Sequence, residues 1–400
     1  MTRLLYSADP YLVSFEAKIT EIRGEWIKLD RTAFYPGGGG QDHDTGFFDG
    51  AKVTEVRSEG DVLHRVPGHS MRENQIINGS IDWDRRHDLM KGHTAEHILF
   101  ATLNKLNPGI ELVKINISPV RKSVVVKGEI DWRLAHDAQR MANESIRAGL
   151  KTMESWVARD DPTIKETRVK LERIRDDKIR IVQIGLLDRA ACAGLHVRNT
   201  SEIGALLITK LTSAKPAADS EIEFEVGEKA VKESLDLASI GLQASEAVGS
   251  NPKDLVNALV NIKGEMKSLR ESLGRFSKDA LRSVQPESYN DVKIYSGIFD
   301  GVDKKSLTDA ANLFVQSERS VCVFASRDER LLLLIACSQD LRIDCTGILT
   351  EALKSASGKG GGKDNFAMGG TTSTDMAEIV LASALDMVRE TLSISERYGQ

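Results

Sequence analysis

The stretch Tyr35-Pro36-Gly37-Gly38-Gly39-Gly40-Gln41 separates short segments in which apolar and polar residues alternate. Alternation with a period of two predicts β-strands that bury one face, and these segments lie within residues 11–80. Four successive glycines carry no side chain, so the backbone here can approach another surface closely. We therefore predict a loop at 35–41 within a small N-terminal β-barrel subdomain that spans residues 1–82.

The next block of sequence, residues 83–226, predicts an α+β core. The spacing of its apolar residues indicates helices over 85–103 and near 133–157. Strands are expected at 121–128 and 179–187.

A helical segment is predicted over residues 227–286, where strand signals stop. Its second half has an apolar seam with alternating spacings of four and three, typical of a coiled coil. The seam consists of Leu255, Leu259, Ile262, Met266, Leu269, Leu273, Phe276 and Ala280. It can pack on the preceding helix or on the same helix of a second chain, and the two arrangements are compatible. The second arrangement predicts a homodimer.

The C-terminal block, residues 287–400, predicts a separate α/β domain because strand and helix patterns intermingle. Its Gly-rich stretch Gly358-Lys359-Gly360-Gly361-Gly362-Lys363 is expected to form a loop before a final helix near 375–391. The stretch differs from an ATP-binding Walker A loop, which needs Gly where Ser357 stands and Ser or Thr where Asp364 stands. The whole chain thus predicts an α+β multidomain fold without an ATP site.

Composition and charge exclude several classes of protein. The 400 residues are 41% hydrophobic and 28% charged, which argues against fibrous and disordered chains. With a net charge of −5, a nucleic acid would have to be bound by local basic patches. Four scattered cysteines indicate a reducing compartment, and the longest apolar run, 331–337, is far shorter than the roughly 20 residues of a membrane span. We therefore expect a cytoplasmic protein without membrane contact.

Two pairs of residues suggest a metal site. Residues four apart share one face of a helix, so His93 and His97 can reach one ion. Cys192 and His196 can join them only from a tight turn, which Gly194 permits. Thiolate and imidazole donors suit Zn²⁺, and we predict one zinc ion per chain. The alternative is a buried Cys192 that serves only as a small apolar residue.

A second interpretation comes from the string His93-Thr94-Ala95-Glu96-His97, which matches the HxxEH pattern of zinc metalloproteases. In that class the glutamate is a general base and a downstream carboxylate is the third ligand. This hypothesis gives no role to Cys192, His196 or the glycine loop, and we rank it below the one that follows.

The motifs, taken in order, resemble the editing domain of alanyl-tRNA synthetase. The matching stretches are Thr32-Ala33-Phe34-Tyr35-Pro36, Gly38-Gly39-Gly40-Gln41, His93-Thr94-Ala95-x-His97 and Cys192-x-Gly194-x-His196-Val197. The C-terminal block, with 358–363 and Met368-Gly369-Gly370, is similar to the tRNA-binding C-terminal domain of that synthetase. Because the chain starts at the editing module, we expect a free-standing AlaX-type editing protein in its long form, without an aminoacylation core.

This resemblance implies a trans-editing aminoacyl-tRNA hydrolase that serves translation fidelity by deacylating seryl-tRNA(Ala) and, as in some members of the family, glycyl-tRNA(Ala). It implies that Zn²⁺ is bound by His93, His97, Cys192 and His196. It implies that Thr32 and Gln41 line the catalytic pocket, where Thr32 would recognise the serine hydroxyl. The tRNA-binding residues would be Gly358, Lys359, Gly360, Gly361, Gly362 and Lys363. Basic residues that could contact phosphate near the pocket are Arg85, Arg86, Lys91, Arg121, Lys122 and Arg140.

A non-catalytic alternative stays open. Four protein ligands normally close the coordination sphere of a structural zinc ion. A tRNA-binding protein with structural zinc would then bind the same RNA without hydrolysing it.

Overall fold

The computed structural model describes residues 1–174, 176–214 and 219–398. The chain divides into two compact units, Met1–Gln243 and Ala244–Gln400. No helix in the described ranges combines the length and the apolar character that a bilayer crossing requires. The four domain boundaries predicted from the sequence stay a prediction.

The N-terminal part of the first unit is a nearly closed antiparallel sheet. Its strands are β1 (Arg3–Leu4), β2 (Ser14–Arg23), β3 (Trp26–Leu29), β4 (Arg31–Thr32), β5 (Gly46–Phe48), β6 (Ala51–Val53), β7 (Glu55–Ser58), β8 (Val62–Arg65) and β9 (Ile76–Ile81). Seven of them pair in the order β6-β5-β9-β2-β3-β8-β7, and β1 pairs in parallel with β4 in a separate two-stranded sheet. The terminal strands β6 and β7 are separated in the chain by Thr54 alone, so the sheet must curl until its edges nearly meet. The predicted small barrel is confirmed in this form.

The apolar residues of the alternating pattern fill the barrel. Ile19, Leu29, Phe34 and Phe48 are fully buried in one cluster. Ile19, Leu29 and Phe48 come from strands in which alternate residues face inward, as a pleated strand requires, whereas Phe34 follows β4. The barrel core is therefore the direct product of the sequence pattern.

The rest of the first unit packs helices on two further sheets. Its elements are α1 (Trp83–Leu106), β10 (Leu112–Ile117), β11 (Lys122–Val126), α2 (Trp132–Arg147), β12 (Thr152–Ala158), β13 (Lys178–Ile184), β14 (Asp188–Ala191), β15 (Leu206–Ala214) and β16 (Asp219–Val226). The sheet orders are β10-β11-β16-β15 and β12-β13-β14. Helix α1 carries the central stripe of the core, including Leu89, Ile98 and Leu103.

The helix predicted over 133–157 is wrong in its last third. Helix α2 ends at Arg147, and the chain then passes through Gly149, which has a left-handed φ of +65°. Residues of β12 pair instead with β13 in an antiparallel register from Thr152 to Ala158. The non-local strand partner outweighs the local helical spacing.

Two long helices, α3 (Gly227–Val248) and α4 (Leu255–Arg282), form the predicted helical segment. The boundary between the two compact units falls within α3. Along α4 the seam is exposed: Leu269 is 70% and Phe276 is 73% accessible. A coiled-coil partner for this seam stays a prediction.

The second unit contains a six-stranded sheet covered by helices. Its further elements are β17 (Glu287–Tyr289), β18 (Val292–Asp300), α5 (Lys304–Ser317), β19 (Ser320–Arg327), β20 (Leu331–Cys337), α6 (Cys345–Lys354), β21 (Lys359–Lys363), β22 (Phe366–Thr371) and α7 (Ala377–Tyr398). The order is β17-β18-β19-β20-β22-β21, with only the β18 and β19 pair parallel within the described sheet.

The Gly-rich stretch predicted as a loop forms the edge strand β21 instead. A side chain on Gly360 would lie 2.6 Å from the Gly369 Cα and 2.7 Å from Leu349. A side chain on Gly362 would lie 2.1 Å from the Phe366 carbonyl oxygen. These two glycines therefore permit close packing on β22 and α6, which the sequence alone did not reveal.

Candidate metal centre

The two predicted ligand pairs meet in the first unit. Helix α1 presents His93 and His97 on one face, with ring centroids 5.4 Å apart. Cys192 and His196 come from the turn that follows β14. One potential ligand atom from each of the four residues lies within 4.8 Å of the others. All four side chains are thus close enough to share an ion, and ion binding itself stays a prediction.

Gly194 allows this approach, for a different reason from the predicted one. Its φ is not in the left-handed region, unlike that of many other glycines in the chain. A Cβ on Gly194 would instead lie 2.1 Å from Cε1 and 2.2 Å from Nδ1 of His93. Glycine is needed here because the turn packs directly on the imidazole ring of a candidate ligand.

Hydrogen bonds fix the orientation of the two imidazoles on α1. The Nδ1 atom of His93 lies 2.7 Å from the Gln41 Oε1 atom. The Nδ1 atom of His97 lies 2.6 Å from the Asp188 Oδ2 atom. Both partners are oxygen acceptors, so each Nδ1 donates its hydrogen and Nε2 is the atom left for an ion.

The third imidazole is oriented in the same way. The hydroxyl of Thr94 donates to the Met90 carbonyl oxygen at 2.9 Å, so its oxygen accepts from His196 Nδ1 at 3.2 Å. The Nε2 atoms of His93 and His196 then lie 3.4 Å and 3.3 Å from the Cys192 Sγ atom. Nε2 is therefore the free atom of all three rings.

This donor set fits a zinc ion. Tetrahedral ligands at ordinary Zn–S and Zn–N lengths are about 3.5 Å apart, close to the observed separations of Sγ from two Nε2 atoms. Burial would raise the pKa of the Cys192 thiol, but the neighbouring His93 and His196 outweigh burial and lower it well below its usual value. A thiolate is the form in which cysteine binds a metal.

Asp188 contacts a candidate ligand and was not predicted from the sequence. Burial alone would raise the pKa of its carboxyl, but the hydrogen bond and charge of His97, together with the charge of Arg168, lower it. The Arg168 Nη2 atom lies 3.0 Å from the same Oδ2 atom that contacts His97. In the sequence, Asp188 is marked only by its position four residues before Cys192. That spacing does not by itself indicate a contact with His97.

Glu96, the glutamate of the HxxEH pattern, is fully buried. Neither of its carboxylate oxygens has a hydrogen-bond partner among the described residues. Burial is the main cause that raises the pKa of this carboxyl.

The glycine loop holds Gln41 at the centre. Gly37, Gly38, Gly39 and Gly40 all have φ values in the left-handed region, which only glycine adopts readily. The loop is joined to β10, since the Ile117 amide donates to the Gly40 carbonyl oxygen at 2.7 Å. The predicted loop is thus present, and it rests on the edge of the core.

Gln41 uses its side-chain oxygen twice. Its Oε1 atom accepts from His93 and from the Leu195 amide at 2.9 Å. Its Nε2 atom is buried and has no partner in the described part of the chain. The structure therefore gives Gln41 a contact with a candidate ligand and leaves one amide donor available.

Thr32 lies in the barrel, fully buried. Its Oγ1 atom accepts from the Phe34 amide at 3.0 Å and lies 2.8 Å from His64 Nε2. Because His64 Nδ1 donates to the Ile27 carbonyl oxygen, Nε2 accepts the Thr32 hydroxyl hydrogen. Burial lowers the pKa of His64 to about 4, which keeps this ring neutral. The Thr32 hydroxyl can then only accept a further hydrogen bond.

A cleft of 830 Å³ is lined by three of the four candidate ligands, His93, His97 and Cys192. One wall is β10 with the residues before it, and the other is the 167–174 segment that precedes β13. Apolar and cationic side chains share these walls; they include Phe100, Ile110, Leu112, Lys114, Arg168 and Lys170. The cleft can therefore receive a ligand that has both apolar and anionic parts.

Two basic residues proposed as phosphate contacts cannot serve in that role. Arg86 is fully buried and pairs with Asp44, with Nε to Oδ1 at 2.8 Å. Lys122 is 1% accessible and pairs with Asp88 at 3.0 Å. Each is a structural ion pair that fastens α1 to its neighbours.

Comparisons with known proteins match both units. Residues 179–221 match the Threonyl and Alanyl tRNA synthetase second additional domain, and residues 290–393 match the DHHA1 domain. The Alanyl-tRNA editing protein AlaX-M of Saccharolobus solfataricus is 36% identical over 222 residues, which cover 53% of this chain and 93% of that protein. The Alanine--tRNA ligase of Pyrococcus abyssi is 28% identical over 409 residues, 97% of this chain and 44% of that protein.

The chain thus spans less than half the length of the ligases that it matches. Among solved structures, the C-Ala domain of Aquifex aeolicus alanyl-tRNA synthetase is similar with 25% identity and a TM-score of 0.25. That match covers 27% of this chain and 98% of the other.

Proposed function

Since the chain belongs to the family of AlaX-type alanyl-tRNA editing proteins, we propose that it is a hydrolase that removes a wrong amino acid from alanine tRNA. Its substrate would be tRNA(Ala) charged with serine, and tRNA(Ala) charged with glycine would be a second substrate. Such a substrate would place the protein in the cytoplasm. The observation that carries the proposal is the group of four candidate metal ligands beside a cleft whose walls include Lys114, Arg168 and Lys170.

The physical need for such a reaction is clear. Serine is alanine with one added hydroxyl, and a small apolar pocket rejects such an analogue by only about a hundredfold. A second, hydrolytic site must then supply the remaining accuracy. It gains most by recognising the hydroxyl that distinguishes the two amino acids.

The zinc ion would be held by His93, His97, Cys192 and His196. When bound, zinc can polarise an ester carbonyl or lower the pKa of a water molecule. Gln41 would hold His93 and offer its unpaired Nε2 hydrogens to an oxygen of the substrate. A donor placed where negative charge develops stabilises the transition state of ester hydrolysis.

Thr32 would recognise serine as an acceptor. Its hydroxyl hydrogen is directed to His64, so the remaining lone pair can accept a hydrogen bond from the serine hydroxyl. We expect Thr32→Val to lower seryl-tRNA hydrolysis relative to alanyl-tRNA hydrolysis. Thr32→Ser retains the hydroxyl and should keep the wild-type preference for seryl-tRNA. Unchanged discrimination in Thr32→Val would remove this residue from the proposed role.

Metal analysis combined with a deacylation assay tests the proposed function. The wild-type protein should contain one zinc per chain and release serine from seryl-tRNA(Ala) while leaving alanine attached. Cys192→Ala should lose both properties. Cys322→Ala is the matched control, because Cys322 lies buried in the sheet of the second unit. Stoichiometric zinc with tight tRNA binding but no release of serine would instead establish the non-catalytic alternative.

The metalloprotease hypothesis is not favoured. It needs a carboxylate as third ligand beside His93 and His97. Asp188 contacts the outer Nδ1 atom of His97, and the donors nearest the two free Nε2 atoms are Cys192 and His196. A protease assay on casein with the zinc-loaded protein should show no cleavage.

The edge strand β21 is proposed to contact tRNA. Lys359, Gly361 and Lys363 alternate with the glycines that pack on β22, so they share the open face. A side chain on Gly361 would meet nothing within 4 Å in the described structure, so packing does not require glycine there. Bare backbone between two lysines would let an RNA sugar or base approach while the lysines meet phosphates.

A homodimer through α4 is proposed for the exposed seam. Leu269→Glu should reduce the mass measured by size-exclusion chromatography with light scattering. Ser268→Glu places the same charge on the same helix, off the seam, and should leave the mass unchanged. An unaltered mass for Leu269→Glu would argue for packing within one chain.

A further inference from the structure

Two charged residues outside the predicted site act on one of the candidate ligands. Asp188 and Arg168 meet His97 at the edge of the cleft. The Asp188 Oδ2 atom lies 2.6 Å from His97 Nδ1 and 3.0 Å from Arg168 Nη2. Both bonds end on the same oxygen atom. The Arg168 Nη2 atom also lies 3.3 Å from His97 Nδ1, but both nitrogens carry hydrogen, so the carboxylate oxygen is what links the imidazole to the guanidinium. The Asp188 side chain is 8% exposed, which shields this link from water.

The three candidate imidazoles differ in what holds them. His93 is held by the neutral amide of Gln41, and His196 by the neutral hydroxyl of Thr94. Only His97 among these three has a carboxylate at its Nδ1 atom. A carboxylate bound to Nδ1 orients the ring and makes Nε2 a stronger ligand.

Arg168 keeps the carboxylate in place. Its backbone is fixed on β14, since the Ala191 amide donates to the Arg168 carbonyl oxygen at 3.0 Å. Its guanidinium carbon lies 4.7 Å from the centre of the Phe100 ring, which limits its movement. The same side chain lines the cleft. Without Arg168, Asp188 would be a nearly buried carboxylate with one partner instead of two.

We propose that Asp188 is the positioning residue of His97 and that Arg168 acts on the metal centre through Asp188. The inference rests on the proposed zinc site and extends it beyond the four ligands. Asp188 orients His97 so that Nε2 faces the other three donors. Arg168 fixes the Asp188 oxygen at the point where the cleft wall meets the metal centre.

Zinc affinity of the full-length protein tests this arrangement, measured by competition with a chromophoric chelator. Asp188→Asn keeps the shape of the side chain but removes its charge, and it should weaken zinc binding by about 10- to 100-fold. Arg168→Met should weaken binding less. In the double variant, the loss should be close to that of Asp188→Asn alone, because Arg168 acts through Asp188. Asp160→Asn, an exposed change of the same type, is the matched control and should bind zinc as the wild type does.

The visible spectrum of the cobalt-substituted proteins gives a second measurement. It reports the geometry around the ion, so it should change in Asp188→Asn and stay unchanged in Asp160→Asn. A purely stabilising role of Asp188 would lower the melting temperature without moving these bands.

The outcomes separate the inference from the proposed function. Wild-type zinc affinity and an unshifted cobalt spectrum in Asp188→Asn would overturn the inference, while seryl-tRNA hydrolysis by the wild type would still support the function. A wild-type protein without stoichiometric zinc would overturn the metal centre and the inference together. If Asp188→Asn does not fold, Arg168→Met decides: unchanged zinc affinity in that variant would overturn the inference.

Discussion

Gly194→Ala is the substitution from which the structure expects the largest effect for the smallest change. The added methyl group would lie 2.1 Å from Cε1 and 2.2 Å from Nδ1 of His93, and 2.8 Å from the Gln41 Oε1 atom. Carbon atoms in contact are roughly 3.5 to 4.0 Å apart, so the turn and the ring must separate by more than about 1 Å. His93 is fully buried and cannot move away cheaply. Such overpacking costs about 1 to 3 kcal/mol of the free energy of unfolding.

The same displacement should damage metal binding more than stability. Ligand distances in metal sites are held within about 0.2 Å, and the required separation is several times larger. We expect zinc affinity to fall at least about tenfold, since even indirect partners of ligands have effects of that size. Urea unfolding and chelator competition measure the two effects. Gly264→Ala is the control: it lies in α4 with nothing within 4 Å of the added group, and it should keep zinc affinity. A Gly194→Ala protein with wild-type zinc affinity would refute the close approach of the turn to the ring.

Three further predictions concern other parts of the molecule. Arg86→Met leaves the buried carboxylate of Asp44 without its cation and should lower the free energy of unfolding by about 3 to 5 kcal/mol in urea, whereas removing both charges should cost less. Burial lowers the pKa of His64 to about 4 in the folded protein, below the unfolded value near 6.5, so its contribution to stability is present above pH 6.5 and lost as the pH falls toward 4. This contribution to the free energy of unfolding totals about 3 kcal/mol. Urea unfolding of His64→Gln between pH 7 and 4 should therefore show a shallower loss of stability than that of the wild type, and equal slopes would contradict the prediction. Gly361→Val should weaken tRNA binding about five- to tenfold in a filter-binding assay with unchanged melting temperature, because its side chain would meet no neighbour among the described residues.

Short-range patterns predicted most of the elements that position the site. Apolar spacing located α1, and a separation of four placed His93 and His97 on one face. The glycine run predicted its loop, since four left-handed φ values in a row demand residues without a Cβ. These properties depend on a few adjacent residues, which a sequence contains in full.

Predictions failed where a distant partner decides the outcome. Residues 152–158 continued a helical spacing but became β12, because β13 offered a complete ladder of hydrogen bonds. The glycines of β21 indicated a loop and proved to be a tightly packed edge strand. In both cases the energy of pairing comes from residues that a local pattern does not include.

The sequence by itself determined which side chains can bind a metal and where the chain must lack a Cβ, because donor chemistry and backbone sterics belong to single residues. Only the tertiary structure decided which nitrogen of each imidazole is free. That choice depends on Gln41, Thr94 and Asp188, which lie 52, 102 and 91 residues from the rings that they hold. Hydrogen bonds act over about 3 Å, so the partner of each ring exists only after the barrel, α1 and the turn after β14 have been brought together by burial of their apolar faces.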